Sequence, residues 1–183
     1  MVDRLGIRIR VSGSLKLLPE AVQLAAVKAM NATRNNSNAV LNICCPYTSS
    51  HEIASAMNDV KRGYQMGFLQ LDDIDSDLIS EALFSGDLPP LQMLIRTSGE
   101  VRLSDFMLWQ ASESCFIHFT PVLWPNFNFW DMIQAIVLFQ FYFICNVFNP
   151  KACSSSRAAE SQDRITKFLS WLRNDRNSNP LNY

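Results

Sequence analysis

The chain has 183 residues, 48% of them hydrophobic and 18% charged, with a formal net charge of −1. That length fits one domain of ordinary size, and the composition supports a packed core and excludes global disorder. A charge this close to zero argues against nucleic acid as a partner, since such binders carry a basic excess.

The first residues, MVDRLGIRIRVSG, lack the apolar centre of a secretory signal and read as a strand that begins almost at Met1. From Gly6 to Gly13, Ile7, Ile9 and Val11 alternate with Arg8, Arg10 and Ser12, the period-two pattern of a strand. Pro19 and Glu20 then open a helix over PEAVQLAAVKAMNATRN. After the turn cluster NNSN, AVLNICC is a short apolar run that predicts a buried parallel strand. YTSSHEIASAMNDVKRGYQMG predicts a helix capped by Ser49 or Ser50, with Glu52 in its first turn and Gly63 or Gly67 at its end. LDDIDSDLISEALFSG predicts another, starting at Asp75 or Ser76. QMLIRT is the next buried strand, CFIHFT a strand after the following loop, and NFWDMIQAIVLFQ a helix.

Strands and helices alternate, so the expected class is α/β with a largely parallel sheet flanked by helices. The apolar run Met132 to Phe148 is shorter than the roughly 20 residues of a spanning helix. Gln134, Gln140 and Asn146 interrupt it, and it reads as a core or dimer-interface helix. Residues 1–150 read as one domain. Residues 151–183 turn polar and read as a loosely attached tail, with room for a surface helix around Ile165, Phe168, Leu169 and Leu172.

Five cysteines, an odd count without a C-x-x-C pair, give neither a zinc site nor a disulfide framework, and reduced thiols are expected. His51 and His118 are the only histidines, which argues against a His-rich metal site. His51 sits near a helix start and His118 in an apolar strand. Both fit structural roles better than catalysis. Phe106, Leu108, Trp109, Phe127, Phe129 and Trp130 fit packing better than base stacking.

LIRTSGEVRLSDFMLWQ, Leu94 to Gln110, is the stretch that carries chemistry. Ligands of open α/β sheets sit beyond the carboxyl ends of the strands, and Arg96 stands there. Thr97, Ser98 and Gly99 follow in a tight turn offering hydroxyls and backbone N–H groups, then Arg102 and Ser104. Two guanidinium forks with such donors make a diphosphate receptor. Glu100 between them can orient an arginine. The bland alternative makes the same three charges a surface ion-pair group. No G-x-x-x-x-G-K-[ST] is present, which disfavours a nucleotide site.

LIRTSGEVRLSDFMLWQ, with PVLWPNF and FWDMIQAIVLFQ after it and RIRVSG and LNICCPYTSSHEI before it, closely resembles the cis-prenyltransferases, nearest to the eukaryotic dehydrodolichyl diphosphate synthase branch. The resemblance runs from about Gly6 to Gln140 and implies that family's fold. It also implies an enzyme that condenses isopentenyl diphosphate onto an allylic diphosphate such as farnesyl diphosphate, with cis geometry, to build the precursor of dolichol. Arg96, Arg102 and Ser104 would hold the diphosphate of isopentenyl diphosphate, supported by Glu100, Ser98 and Gly99. Magnesium (Mg2+) would help neutralise the leaving pyrophosphate. Implied partners are a second copy, as a homodimer, or a Nogo-B-receptor-like subunit. The implied place is the cytoplasm or the cytosolic face of the endoplasmic reticulum, with peripheral membrane association.

The sequence departs from the family pattern. The D-G-N-R-R stretch, whose aspartate serves magnesium and the allylic diphosphate, is absent, so the chain reads as truncated at its N-terminus, without the first strand and helices. No catalytic residue or metal ligand is assigned. Ser50 stands in place of an arginine, Gln92 in place of an aspartate, and Cys115 where bacterial members have a glutamate. A non-catalytic partner or regulatory subunit, or an inactive fragment, that keeps only the isopentenyl diphosphate half-site is therefore the competing expectation.

Overall fold

The computed structural model describes residues 2–144 and 157–179. The chain forms two compact units, Met1–Asp87 with Ala158–Tyr183, and Leu88–Arg157.

The first unit does not open on a strand. Val2–Leu5 is one helical turn, α1. Gly6, at φ 63°, ends it and turns the chain into strand β1, Ile7–Ser12. The helix α2, Glu20–Ala32, carries the chain to β2, Ala39–Cys44, which pairs parallel to β1 from Ile7↔Ala39 to Ser12↔Cys44. Side chains from α2 and the residues just beyond it close the other edge of β1. Thr33 Oγ1 accepts from Ile9 N at 2.9 Å, Met30 Sδ from Val11 N at 3.4 Å, and Asn36 Nδ2 donates to Ile7 O at 2.9 Å. An edge covered in this way is closed to strand addition.

The expectation that AVLNICC is buried fails. Val40, Leu41 and Ile43 are exposed. Among the described residues β2 pairs only with β1, and the core of this unit lies elsewhere.

That core lies among α3 (Ser49–Gln65), α4 (Ser76–Ala82) and α7 (Ala159–Ser178). Thr48, not Ser49 or Ser50, caps α3. Its backbone is extended and its hydroxyl accepts from His51 N, while Ser49 is already helical and buried. Gly67, at φ 79°, ends the helix in a Schellman motif, with Phe68 N bonded to Gly63 O and Gly67 N to Tyr64 O. Asp75 caps α4 by accepting from Leu78 N at 2.7 Å. Glu52 does more than sit in a first turn. Its buried carboxylate accepts from Phe84 N at 2.8 Å and from the Tyr47 hydroxyl, joining α3 to the segment after α4.

Residues 151–183, read from sequence as a loose tail, contain the packed helix α7. Ile165, Phe168, Leu169 and Leu172 recur at helical spacing and are all buried. Gly63 makes room for them: a Cβ there would lie 2.5 Å from the Phe168 ring.

The second unit holds β3 (Met93–Arg96), α5 (Leu108–Ser114), β4 (Phe116–Phe119) and α6 (Phe129–Ile144). β3 and β4 pair parallel from Met93↔Phe116 to Arg96↔Phe119. All described strands are thus parallel, in two pairs. Asn128 caps α6 through Trp130 N at 2.8 Å, and Asp131 accepts in return from Asn128 N at 2.8 Å. Phe116 packs on Phe139 and Tyr142, with ring centroids 6.0 and 5.3 Å apart.

The expected aromatic core is not found there. Phe106, Leu108, Phe129 and Trp130 are exposed, while Trp109 and Phe127 are half-buried. Ala135 is the buried residue of α6, and Phe141 and Ile144 are 66% and 80% exposed. The helix is apolar on more faces than β4 can cover. No helix among the described residues is long and apolar enough to cross a membrane, and the end of the run, from Cys145 to Phe148, lies outside the described residues.

Candidate functional site: the turn after β3

Arg96 closes β3, half-buried, as the run of apolar residues before it dictates. The turn that follows is held by hydrogen bonds to the segment after β4. Ser98 N donates to Val122 O at 2.8 Å and Gly99 N to Thr120 O at 3.0 Å, while Thr120 N donates to Arg96 O at 2.9 Å. The backbone N–H groups of Ser98 and Gly99, expected to be anion donors, are therefore engaged within the protein. What the stretch offers a ligand is the hydroxyls of Thr97, Ser98 and Ser104 and its charged side chains.

All four non-glycine residues with left-handed φ among the described residues lie in this stretch: Ser98, Ser104, Asp105 and Met107, at 72°, 50°, 59° and 50°. L-residues adopt that conformation at a cost, and clusters of it are typical of functional loops.

An open cleft of about 400 Å³ lies against the turn, lined by Arg96, Ser98, Leu103 and Phe106 with part of β3. Arg102, Ser104, Gly99 and Glu100 lie outside that lining. Arg102 is 68% exposed and pairs with Glu100, Nη2 to Oε2, at 3.1 Å. So Arg96 faces a cleft without an ion pair to any described residue, and Arg102 is held by a carboxylate on the same turn. Exposed ion pairs of this kind are weak and exchange readily for a doubly charged anion.

Sequence reasoning missed Thr120 and Val122, whose carbonyls fix the turn, and Leu103 and Phe106, which line the cleft. The only signal for the first pair is Pro121 between them, a residue that ends strand pairing. His118 stacks on Phe116 at 6.4 Å, and His51 lies 6.1 Å from Phe84 at the start of α3, both in packing roles. Cys115 precedes β4. Burial pushes its thiol up, and a hydrogen bond with the Leu94 backbone opposes that in part. Cys44, Cys45 and Cys115 are free, while Cys145 and Cys153 lie outside the described residues.

Among the described residues no three His, Cys, Asp or Glu side chains gather to hold a metal ion. The one carboxylate between the arginines of the turn, Glu100, faces Arg102. The magnesium ion that the resemblance implies does not fit these residues, and no step is derived through it.

Parallel strands flanked by helices, with a basic turn at a strand's carboxyl end, define an α/β protein. Comparison with known proteins gives the family. The sequence model of the family described as "Putative undecaprenyl diphosphate synthase" matches residues 1–142, and the chain belongs to that family, the cis-prenyltransferases. It is 47% identical over 135 residues to the dehydrodolichyl diphosphate synthase complex subunit of Mus musculus, a match covering 74% of this chain and 40% of the mouse protein. It is 42% identical over 140 residues to the corresponding complex subunit of Schizosaccharomyces pombe, covering 76% of this chain and 53% of that protein. The chain thus spans about half, or less, of the curated relatives it matches. The crystal structure of lavandulyl diphosphate synthase from Lavandula x intermedia, in complex with dimethylallyl diphosphate, superposes with a TM-score of 0.68 at 28% identity. That match covers 73% of this chain and 57% of the plant one.

Proposed function

We propose that this chain is a subunit of a dehydrodolichyl diphosphate synthase type of cis-prenyltransferase. It would hold isopentenyl diphosphate on Arg96, Arg102 and Ser104 for condensation with an allylic diphosphate such as farnesyl diphosphate. The observation that carries the reading is Arg96, which faces a cleft at the carboxyl end of β3 with no ion pair to any described residue, beside a hydrogen-bonded turn that presents Arg102.

The chemistry asked of these residues is positioning. In the condensation the alkene of isopentenyl diphosphate attacks the first carbon of the allylic substrate. A carbon–carbon bond forms, the carbon–oxygen bond to diphosphate breaks, and pyrophosphate and a proton leave. Two guanidinium groups and a hydroxyl on the diphosphate of isopentenyl diphosphate fix the alkene for that attack. The exposed apolar face of α6, together with relatives named as complex subunits, supports a protein partner; in this reading it is a second copy or a Nogo-B-receptor-like subunit, and the complex works at the cytosolic face of the endoplasmic reticulum.

Equilibrium dialysis with labelled isopentenyl diphosphate tests the site. Binding is expected to fall by roughly tenfold or more in Arg96→Ala and in Arg102→Ala, the worth of a charge-assisted hydrogen bond. Unchanged binding in both variants removes the proposal. Binding without turnover, even with a partner subunit and farnesyl diphosphate present, supports the non-catalytic half-site subunit instead.

A further inference from the structure

The first unit contains a cleft of about 320 Å³ bounded by β1, α2, the end of α4 and α7, within the size range of small-molecule sites. Its charge is unlike that of the chain. Lysines and arginines number 16 against 17 acidic residues overall, yet five arginines and only two carboxylates line this one cleft. Two of the arginines have internal partners. Arg10 donates to Asp87 Oδ1 at 2.5 Å and to Phe84 O at 2.7 Å. Arg176 donates to Asp59 Oδ2 at 3.0 Å and Ala82 O at 2.7 Å. The other three, Arg8 from β1, Arg34 from just beyond α2 and Arg173 from α7, make no ion pair with any described residue.

A surface arginine without a partner is ordinary, and Arg34 also faces the carbonyl end of α2, where a cation is favoured. Arg173, exposed on α7, is ordinary by the same measure, but Arg8 is half-buried, and all three line the same cleft. Three arginines from three elements on one concavity raise its positive potential and favour an anion there. The lining also carries apolar groups: Val27 and Met30 from α2, buried Phe84, and buried Leu169 from α7.

We infer that this cleft binds a phosphate ester of a short apolar chain, the phosphate on Arg8, Arg34 and Arg173 and the chain against Met30, Phe84 and Leu169. A phosphate matches three guanidinium forks better than a carboxylate, which one fork already satisfies. The cleft lies wholly in the first unit and shares no residue with the turn after β3.

Isothermal titration calorimetry on the full chain, at two temperatures, tests it with octyl phosphate as the probe and inorganic phosphate and octyl glucoside as controls. Octyl phosphate is expected to bind at least tenfold more tightly than either control. Arg34→Gln and Arg173→Gln, both at exposed positions, are each expected to weaken it by roughly tenfold, the worth of one charge-assisted hydrogen bond. The charge-keeping Arg173→Lys should lose less. Far-UV circular dichroism checks that each variant is folded. The Arg96→Ala/Arg102→Ala double variant is expected to bind octyl phosphate unchanged. Absence of binding, equal affinity for either control, or indifference to Arg34 and Arg173 overturns the proposal. So does loss of binding in the Arg96→Ala/Arg102→Ala variant, which would place the ligand at the turn after β3. Conversely, isopentenyl diphosphate binding that ignores Arg96 and Arg102 removes the prenyltransferase site and leaves this one standing.

Discussion

Arg164 of α7 grips the buried carboxylate of Asp73 with two parallel hydrogen bonds, Nε to Oδ2 and Nη2 to Oδ1, each 2.8 Å long. Ser161 Oγ adds a third at 2.6 Å and Gln70 N a fourth at 2.8 Å. The Arg164 guanidinium, the largest influence, holds the Asp73 carboxyl well below the usual carboxylate range despite its burial.

A pH dependence follows. A carboxyl whose folded pKa is depressed contributes stability that is present above its unfolded value, about 3.9 for aspartate, and lost as pH falls through the folded value. The melting temperature is therefore expected to hold with respect to this group from pH 7 to 5 and to fall below about pH 4. Asp73→Asn should lower it at neutral pH and flatten the acid limb. Thermal melts of both proteins across that range check this, and an identical acid limb in Asp73→Asn would show that the pair does not anchor α7.

Gly63 faces Phe168 across the α3–α7 contact, and a methyl group there would lie 2.5 Å from two ring carbons of a fully buried side chain. Gly63→Ala gains helix propensity of about 1 kcal/mol, but overpacking of a tight core costs about 1–3 kcal/mol. We expect a net destabilisation in urea unfolding. Phe168→Leu in the Gly63→Ala background should recover part of it, giving a coupling of about 1 kcal/mol in a double-mutant cycle. Simple additivity would mean that the two residues do not meet.

How far these features were legible depends on how local their causes are. The strands, the Asp75 cap and the helix after Pro19 follow from patterns within a few residues, and the sequence predicts them. The stripe Ile165, Phe168, Leu169, Leu172 was visible too, but its burial was not. That burial depends on Asp73, Asp59 and Gly63, which lie about a hundred positions away. AVLNICC misled in the opposite direction, because an apolar run states a capacity for burial and not the presence of a covering layer. At the turn after β3, Arg96 was readable from its place after an apolar strand. The use of the Ser98 and Gly99 N–H groups was not, since it rests on carbonyls of Thr120 and Val122 brought near by strand pairing.

Thiol reactivity separates the adjacent cysteines. Burial, and next the negative charge of Glu52, push the Cys44 thiol up to about 11. Cys45 is exposed. Only the thiolate reacts with iodoacetamide, so at pH 8 Cys45 is expected to be alkylated well ahead of Cys44 and of the part-buried Cys115. Peptide-resolved mass spectrometry over a time course reads this directly. Equal rates at Cys44 and Cys45 would contradict the half-buried position of Cys44.

Ser104 separates stability from binding. Its φ of 50° is a conformation that costs an L-residue about 1–2 kcal/mol and glycine almost nothing. If the strain exists only to satisfy the chain path, glycine at this position improves stability and leaves ligand affinity unaltered. If the hydroxyl serves the diphosphate, the two properties part. Ser104→Gly is expected to hold or raise the urea midpoint while weakening isopentenyl diphosphate. Ser104→Ala keeps the strain, should leave the midpoint nearly where it was, and should weaken the ligand by a similar factor, since it lacks the same hydroxyl. Titrations of the two variants beside their unfolding curves decide it. Undiminished affinity in both would release Ser104 from the diphosphate site and leave Arg96 and Arg102 to hold the ligand without it.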